Sequence, residues 1–187
     1  VRVYPDLVSR MQRKAPGGRA RAGIRRRGDS AGKCEIALDC QIGINSPSNE
    51  SGTSVIGPHI DNPKELFASL FYLKDERDQA DGGDFVLYGW KSDKDIGFHE
   101  KRYVRHDLVE SFAKVPYGPN RYVWLLNSLA AVHGVSARAA SPYPRRLCNI
   151  IGETYPTVAR LFNVTPYQKD LSWISWTRRT ANSFRRQ

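Results

Sequence analysis

Cysteine is scarce in this sequence. Cys34, Cys40 and Cys148 are the only three in 187 residues, and no two stand as a CxxC pair. That argues against a disulfide-built scaffold and against a thiolate zinc site, and a reducing, cytoplasmic setting is the expected home. Long hydrophobic runs are also missing: none reaches the ~18 residues that a membrane-spanning helix requires. No apolar stretch backed by a cleavage site opens the residues given, so no secretory signal is expected. Internal repeats and low-complexity arrays are absent, and helical periodicity is thin after residue 30.

What is present is the mixture of a globular domain, with 40% hydrophobic and 26% charged residues. The formal net charge of +10 is unevenly spread. Residues 1–33 hold ten Lys/Arg against two acids, and residues 169–187 hold five against one. The body, residues 34–168, carries fourteen against sixteen and is nearly neutral. Basic tails can bind phosphate backbones or acidic surfaces without specificity. The run Arg19 to Arg27 lacks the interleaved aromatics of a single-strand binding groove, so a solvated arm is the plainer reading. Residues 1–33 are therefore expected as a basic arm or domain edge, 34–168 as the folded domain and 169–187 as a basic C-terminal segment.

Within the body, short apolar runs alternate with turn residues. CEIALDCQIGIN places Ile36, Leu38, Ile42 and Ile44 at the strand period and predicts a strand or strand pair. LFASLFYL (66–73) predicts a strand buried on both faces. DFVLYGW, LVESFAKVPY (108–117), RYVWLLN (121–127), AAVHGV (130–135) and RLCNII (146–151) supply further strands. Lys14 to Asp29 reads as a loop or arm, and Tyr155 to Phe162 as a helix kept short by Pro156 and Pro166. About eight short strands at close spacing predict a mainly-β sandwich or barrel with short flanking helices and basic termini.

Chemistry first shows in Gly57-Pro58-His59-Ile60-Asp61. Residues two apart on a strand share a face, so His59 and Asp61 can reach one metal ion. A lone His-x-Asp is common, and taken alone a structural histidine hydrogen-bonded in a turn is the plainer reading of it. His133, 74 residues downstream on another predicted strand, completes a set of two histidines and one carboxylate. Such a set suits a facial site for Fe(II), and zinc hydrolases use the same ligands. Arg145, with Arg146 beside it, opens the last strand twelve residues after His133. A guanidinium there can hold a carboxylate by a two-pronged ion pair, which a hydrolytic zinc site does not require.

The runs HIDNP, SLFYLKDERDQADGGDFVLY and NSLAAVHGVSARAASPYPRRLCNIIGE resemble the Fe(II)- and 2-oxoglutarate-dependent dioxygenases, in particular their prolyl-hydroxylase-like branch. The resemblance covers residues 57–153. It implies a double-stranded β-helix, the jelly roll also seen in cupins. It further implies His59, Asp61 and His133 as catalytic iron ligands and Arg145 as the anchor of the far carboxylate of 2-oxoglutarate, with Arg146 the alternative. Tyr72 matches a tyrosine contacting that carboxylate, and Gly82-Gly83 the turn before a pocket-lining strand. Fe(II), 2-oxoglutarate and O2 are then the expected cofactor and co-substrates, with ascorbate a compatible reductant. The expected reaction hydroxylates an unactivated C–H bond of a protein, peptide or small molecule, releasing succinate and CO2. Many relatives carry a hydroxyl residue two positions after the anchoring Arg, where this chain has Leu147.

Two other functions stay open on the sequence. A nucleic-acid oxidative demethylase of the same superfamily is invited by the basic tails, although RLCNIIGE lacks the second downstream Arg of an RxNxxxxxR pattern. A non-catalytic metal-binding β-domain, with tails that hold an acidic partner, is the alternative from another class. No membrane role is expected. His99 and His106 lie in a polar stretch and read as exposed. Tyr88, Trp90 and Trp124 read as core or pocket wall, and Trp173 with Trp176 as one helical face docked on the sheet.

Overall fold

A computed structural model describes residues 22–24, 36–47, 49, 56–62, 65–97 and 103–154. Among them the chain is mainly β. The strands are β1 (Ala22–Ile24), β2 (Ile36–Asn45), β3 (Glu65–Tyr72), β4 (Phe85–Trp90), β5 (Val109–Val115), β6 (Arg121–Leu126), β7 (Val132–Val135) and β8 (Arg145–Thr154). Two 3-10 turns, Asp93–Asp95 and His106–Leu108, are the only helical elements among the described residues. The expected flanking helix at 155–162, the paired tryptophans 173 and 176, and His99 all lie outside the described residues.

Five strands form one sheet in the order β1-β2-β8-β3-β6, and three form a second in the order β5-β4-β7. All pairings but β1–β2 are antiparallel. Segment 56–61 extends the smaller sheet beyond β7. His59 and His133 exchange backbone hydrogen bonds of 2.8 and 3.0 Å, and Val135 N–H donates to Ile56 O at 2.9 Å. Along the chain, successive elements therefore alternate between sheets: β2 in the large one, 56–61 in the small one, β3 back in the large one. The pair β4 and β5 is in the small sheet, β6 in the large, β7 in the small and β8 in the large.

Two apolar clusters hold these layers. Tyr72, Phe85, Tyr117 and Leu147 pack between the sheets, joined by Leu70, Leu87, Val115, Val123 and Leu125. Ile60, Val104, Val109 and Val132 form the second cluster, against Tyr88 and Trp90. Full burial of each such side chain contributes about 1.5–3 kcal/mol. The polar loops are clamped separately. Asp78, Arg138 and Ser141 are buried together, with Arg138 Nη2 donating to Asp78 Oδ2 at 2.5 Å and Ser141 Oγ to Asp78 Oδ1 at 2.9 Å.

CEIALDCQIGIN, expected as a strand or strand pair, makes one long strand, because β8 backs it without a break from Ile36 to Asn45. Other elements differ from expectation. Ala22–Ile24, within the expected arm, pairs parallel with Ile36–Leu38 as the edge of the large sheet. Trp124 is not core: its outward position on β6 leaves it 54% exposed. Tyr88 and Trp90 do pack on the core, and the Trp90 indole N–H donates to Leu129 O at 2.8 Å. β3 has no exposed residue, as expected of a strand flanked by β8 and β6.

Candidate metal centre

Alternation along the strand sorts the residues of His59-Ile60-Asp61. Ile60 turns into the second apolar cluster at 1% exposure, and its neighbours on either side turn to the other face. β7 does the same: Val132 is fully buried in that cluster, and His133 faces the opposite way. Because 56–61 pairs with β7 at His59 and His133, both imidazoles meet over one point. One ligand atom from each of His59, Asp61 and His133 lies within 4.8 Å of the other two, and all three residues are buried. Such a group can hold a metal ion and is compatible with iron.

The two histidines are oriented alike. Nδ1 of His59 lies 2.9 Å from Gly57 O, and Nδ1 of His133 lies 2.9 Å from Ala131 O. A carbonyl oxygen only accepts, so each Nδ1 carries a proton and each Nε2 is the nitrogen turned toward Asp61. Those Nε2 atoms lie 3.6 and 3.4 Å from Oδ1 and Oδ2 of Asp61. Burial works to raise the Asp61 carboxyl, but the two histidines outweigh it and hold the group well below the usual carboxylate range. Asp61 Oδ2 is buried without a hydrogen-bond partner, as a ligand atom awaiting a cation would be.

Further contacts stiffen the centre. The Phe85 ring stacks on His133 with centroids 5.2 Å apart and an interplanar angle of 26°. Asn127, 1% exposed, donates from Nδ2 to Asn62 O at 3.0 Å and Glu65 O at 2.9 Å, which pins the turn leaving Asp61. Gly134 allows segment 56–61 to approach β7, since a Cβ there would meet Gly57 O at 2.8 Å.

A cavity of about 290 Å³ opens between the sheets, lined by the three candidate ligands and by Arg145. Arg145 is 2% exposed. Its Nε donates to Gly83 O at 3.1 Å, its Nη1 reaches Asn45 Oδ1 only at 3.5 Å, and its Nη2 is buried with no partner. The guanidinium carbon sits 5.1 Å from the ring centres of both Tyr72 and Tyr117. Burial lowers the Arg145 pKa, partly offset by those two phenols, yet a guanidinium stays cationic. Gly82 and Gly83 adopt φ of 82° and 74°, a backbone that only glycine takes readily. A Cβ on Gly83 would come within 3.4 Å of the Arg145 side chain.

Sequence reasoning brought together His59, Asp61, His133 and Arg145, and these four share the cavity. Arg146 does not join them; it is exposed on the opposite face of β8. Tyr72 is fully buried behind Arg145 rather than on the cavity wall, and its hydroxyl has no partner. Burial pushes its phenol up to about 12, against the pull of the Arg145 charge. His106 is exposed, as expected. Phe85, Asn127 and Gly134 were not foreseen; only Gly134, a glycine directly after a ligand, left a trace in the sequence. No family model matches this chain, and no curated protein matches it significantly.

Proposed function

We propose that this chain is an Fe(II)- and 2-oxoglutarate-dependent dioxygenase. The observation that carries the reading is Arg145, a buried cation with an unpartnered Nη2, in the same cavity as a His-Asp-His group. No acidic side chain pairs with it among the described residues. A buried charge calls for a counter-charge, and a planar guanidinium favours a carboxylate held by two bonds. A hydrolytic zinc site needs the three ligands but not this arginine. The alternation of strands between two sheets supports a double-stranded β-helix.

The donor set fits Fe(II): two imidazoles that turn Nε2 toward one carboxylate would leave adjacent positions open on an ion held among them. When bound, Fe(II) with 2-oxoglutarate and O2 supplies the oxidising power. The balance is one C–H converted to C–OH, with 2-oxoglutarate and O2 going to succinate and CO2. The protein's own part is positional. His59, Asp61 and His133 hold the metal; Arg145 anchors the carboxylate remote from it. Phe85 and Leu70 keep water from the space between. The prime substrate is a protein, peptide or small molecule.

The test is anaerobic. Fe(II) followed by 2-oxoglutarate should give the visible charge-transfer band of the chelate, and His133→Ala should abolish it. Tight zinc binding with no band under any condition overturns the reading in favour of a zinc hydrolase or binding domain.

A further inference from the structure

β6 ends the five-stranded sheet, and no strand covers its outer side among the described residues. In an antiparallel pair every second residue turns its N–H and C=O away from its partner, so a free edge is a template for another strand. Natural edges are usually protected, and the edges at β1 and β5 follow that rule. β1 is three residues long, and β5 carries Glu110 and Lys114 along its length. β6 differs. After Arg121 its residues are Tyr122, Val123, Trp124, Leu125 and Leu126, with no further charge. Tyr122 and Trp124 are each 54% exposed, and Val123 and Leu125 line the cavity that holds the candidate metal ligands and Arg145.

We propose that the free edge of β6 docks an extended polypeptide, added to the large sheet as a further strand beside the cavity. Main-chain hydrogen bonds supply affinity without demanding a sequence, and alternate side chains of the added strand follow the alternation of β6. One set lies beside Tyr122 and Trp124, where aromatic cross-strand pairs form. The other set lies beside Val123 and Leu125 at the cavity wall, where a C–H bond has to be presented. The continuity of edge and cavity favours a peptide over a second copy of the chain, which would bury the edge without using the cavity. That the docked peptide is oxidised rather than merely held rests on the dioxygenase reading.

The test uses the full chain without metal, so that it stands apart from the chelate experiment. Amide hydrogen exchange across residues 121–126 is followed with and without a pool of synthetic decapeptides rich in Val, Thr, Ser and Lys. The peptides should slow exchange at alternate amides of β6. Tyr122→Lys and Trp124→Lys should each weaken the tightest binder about five-fold, the worth of one cross-strand pair. N-methylation of alternate residues in that peptide should abolish binding, and methylation of the intervening residues should not. Absence of slowing at millimolar peptide overturns the proposal. So does protection of those outward-turned amides in the peptide-free chain, whether it grows with concentration, as a second copy requires, or not, as cover by the chain itself requires. If the peptides bind but the Fe(II) chelate never forms, the docking site stands and its role in oxidation falls. If the chelate forms and no peptide protects β6, the docking site alone falls.

Discussion

Arg145 keeps a full positive charge at 2% exposure, with the Gly83 carbonyl and a distant Asn45 amide as its acceptors. Holding that charge out of water is costly, and an anion bound beside it would offset the cost. Arg145→Met removes the cation and keeps most of the volume, so it should stabilise the ligand-free fold by about 1–3 kcal/mol. The same change should weaken 2-oxoglutarate roughly 10- to 150-fold, the worth of a charge-assisted hydrogen bond. Thermal unfolding with and without 2-oxoglutarate reads both effects, and a variant both less stable and equally responsive to ligand would contradict the assignment. Tyr72, beneath Arg145, gives a pH signature. Its phenol is raised from 10.0 to about 12. Below pH 10 it is neutral in folded and unfolded chains alike, and its contribution is complete. Between pH 10 and 12 the unfolded chain ionises first, so stability falls as pH rises. Tyr72→Phe should remove roughly 2 kcal/mol of that alkaline loss, seen by comparing urea midpoints at pH 8 and above pH 11. At this scale the sequence was partly legible. His59 and Asp61 showed through their spacing, because alternation is a local rule, and His133 joined them only as a second histidine on another expected strand. The choice between Arg145 and Arg146 did not show, because it depends on the register of β8 against Asn45, a contact a hundred residues away.

The element that makes the site is a pairing between segment 56–61 and β7. Its closeness rests on Gly134, whose missing Cβ leaves room for the backbone of Gly57. Gly134→Ala would place a carbon 2.8 Å from a carbonyl oxygen and 2.9 Å from a carbonyl carbon, and backbone cannot swing aside as a side chain does. The strand pair must part, which moves His59 relative to His133. Metal affinity should fall about ten-fold or more, with about 1–3 kcal/mol lost from the fold. Gly89→Ala is the control, because its Cβ would meet only the Phe112 ring at 3.7 Å. Equal losses in the two variants, by metal titration and urea unfolding, would count against a special role for Gly134. Strands were readable where apolar residues alternate or run together; β3, β4 and β6 lie within a residue or so of their expected bounds. β1 was not readable, since Ala22-Gly23-Ile24 has no period of its own and is a strand only because β2 offers an edge. Whether CEIALDCQIGIN is one strand or two was left open by the sequence for the same kind of reason: β8 supplies the continuous partner that decides it.

Charge is organised at the scale of the whole molecule. The body between residues 34 and 168 is slightly acidic in net terms, and the excess positive charge belongs to the two ends. The proposed peptide edge and the proposed carboxylate anchor need no such excess, so the basic ends and the cavity should be separable. The boundary used to part them is β1, which puts Ala22–Ile24 inside the sheet. Duplex DNA should therefore bind the full chain without sequence preference and with a steep loss of affinity as salt rises. The logarithmic slope should be about −0.9 for each phosphate neutralised. Removing residues 1–20 and 169–187 takes away ten of the fifteen basic residues in those ends, and the slope should fall accordingly. The Fe(II)–2-oxoglutarate band should persist in the trimmed chain, because none of its residues lies in the removed segments. Removing residues 1–33 instead strips β1 from β2, and stability should drop along with any residual DNA binding. Salt-dependent retention on DNA, measured beside the chelate band for each trimmed chain, separates the two properties. A band that disappears with residues 1–20 would make the basic arm part of the catalytic architecture, and a nucleic-acid substrate would then become the better reading of the cavity.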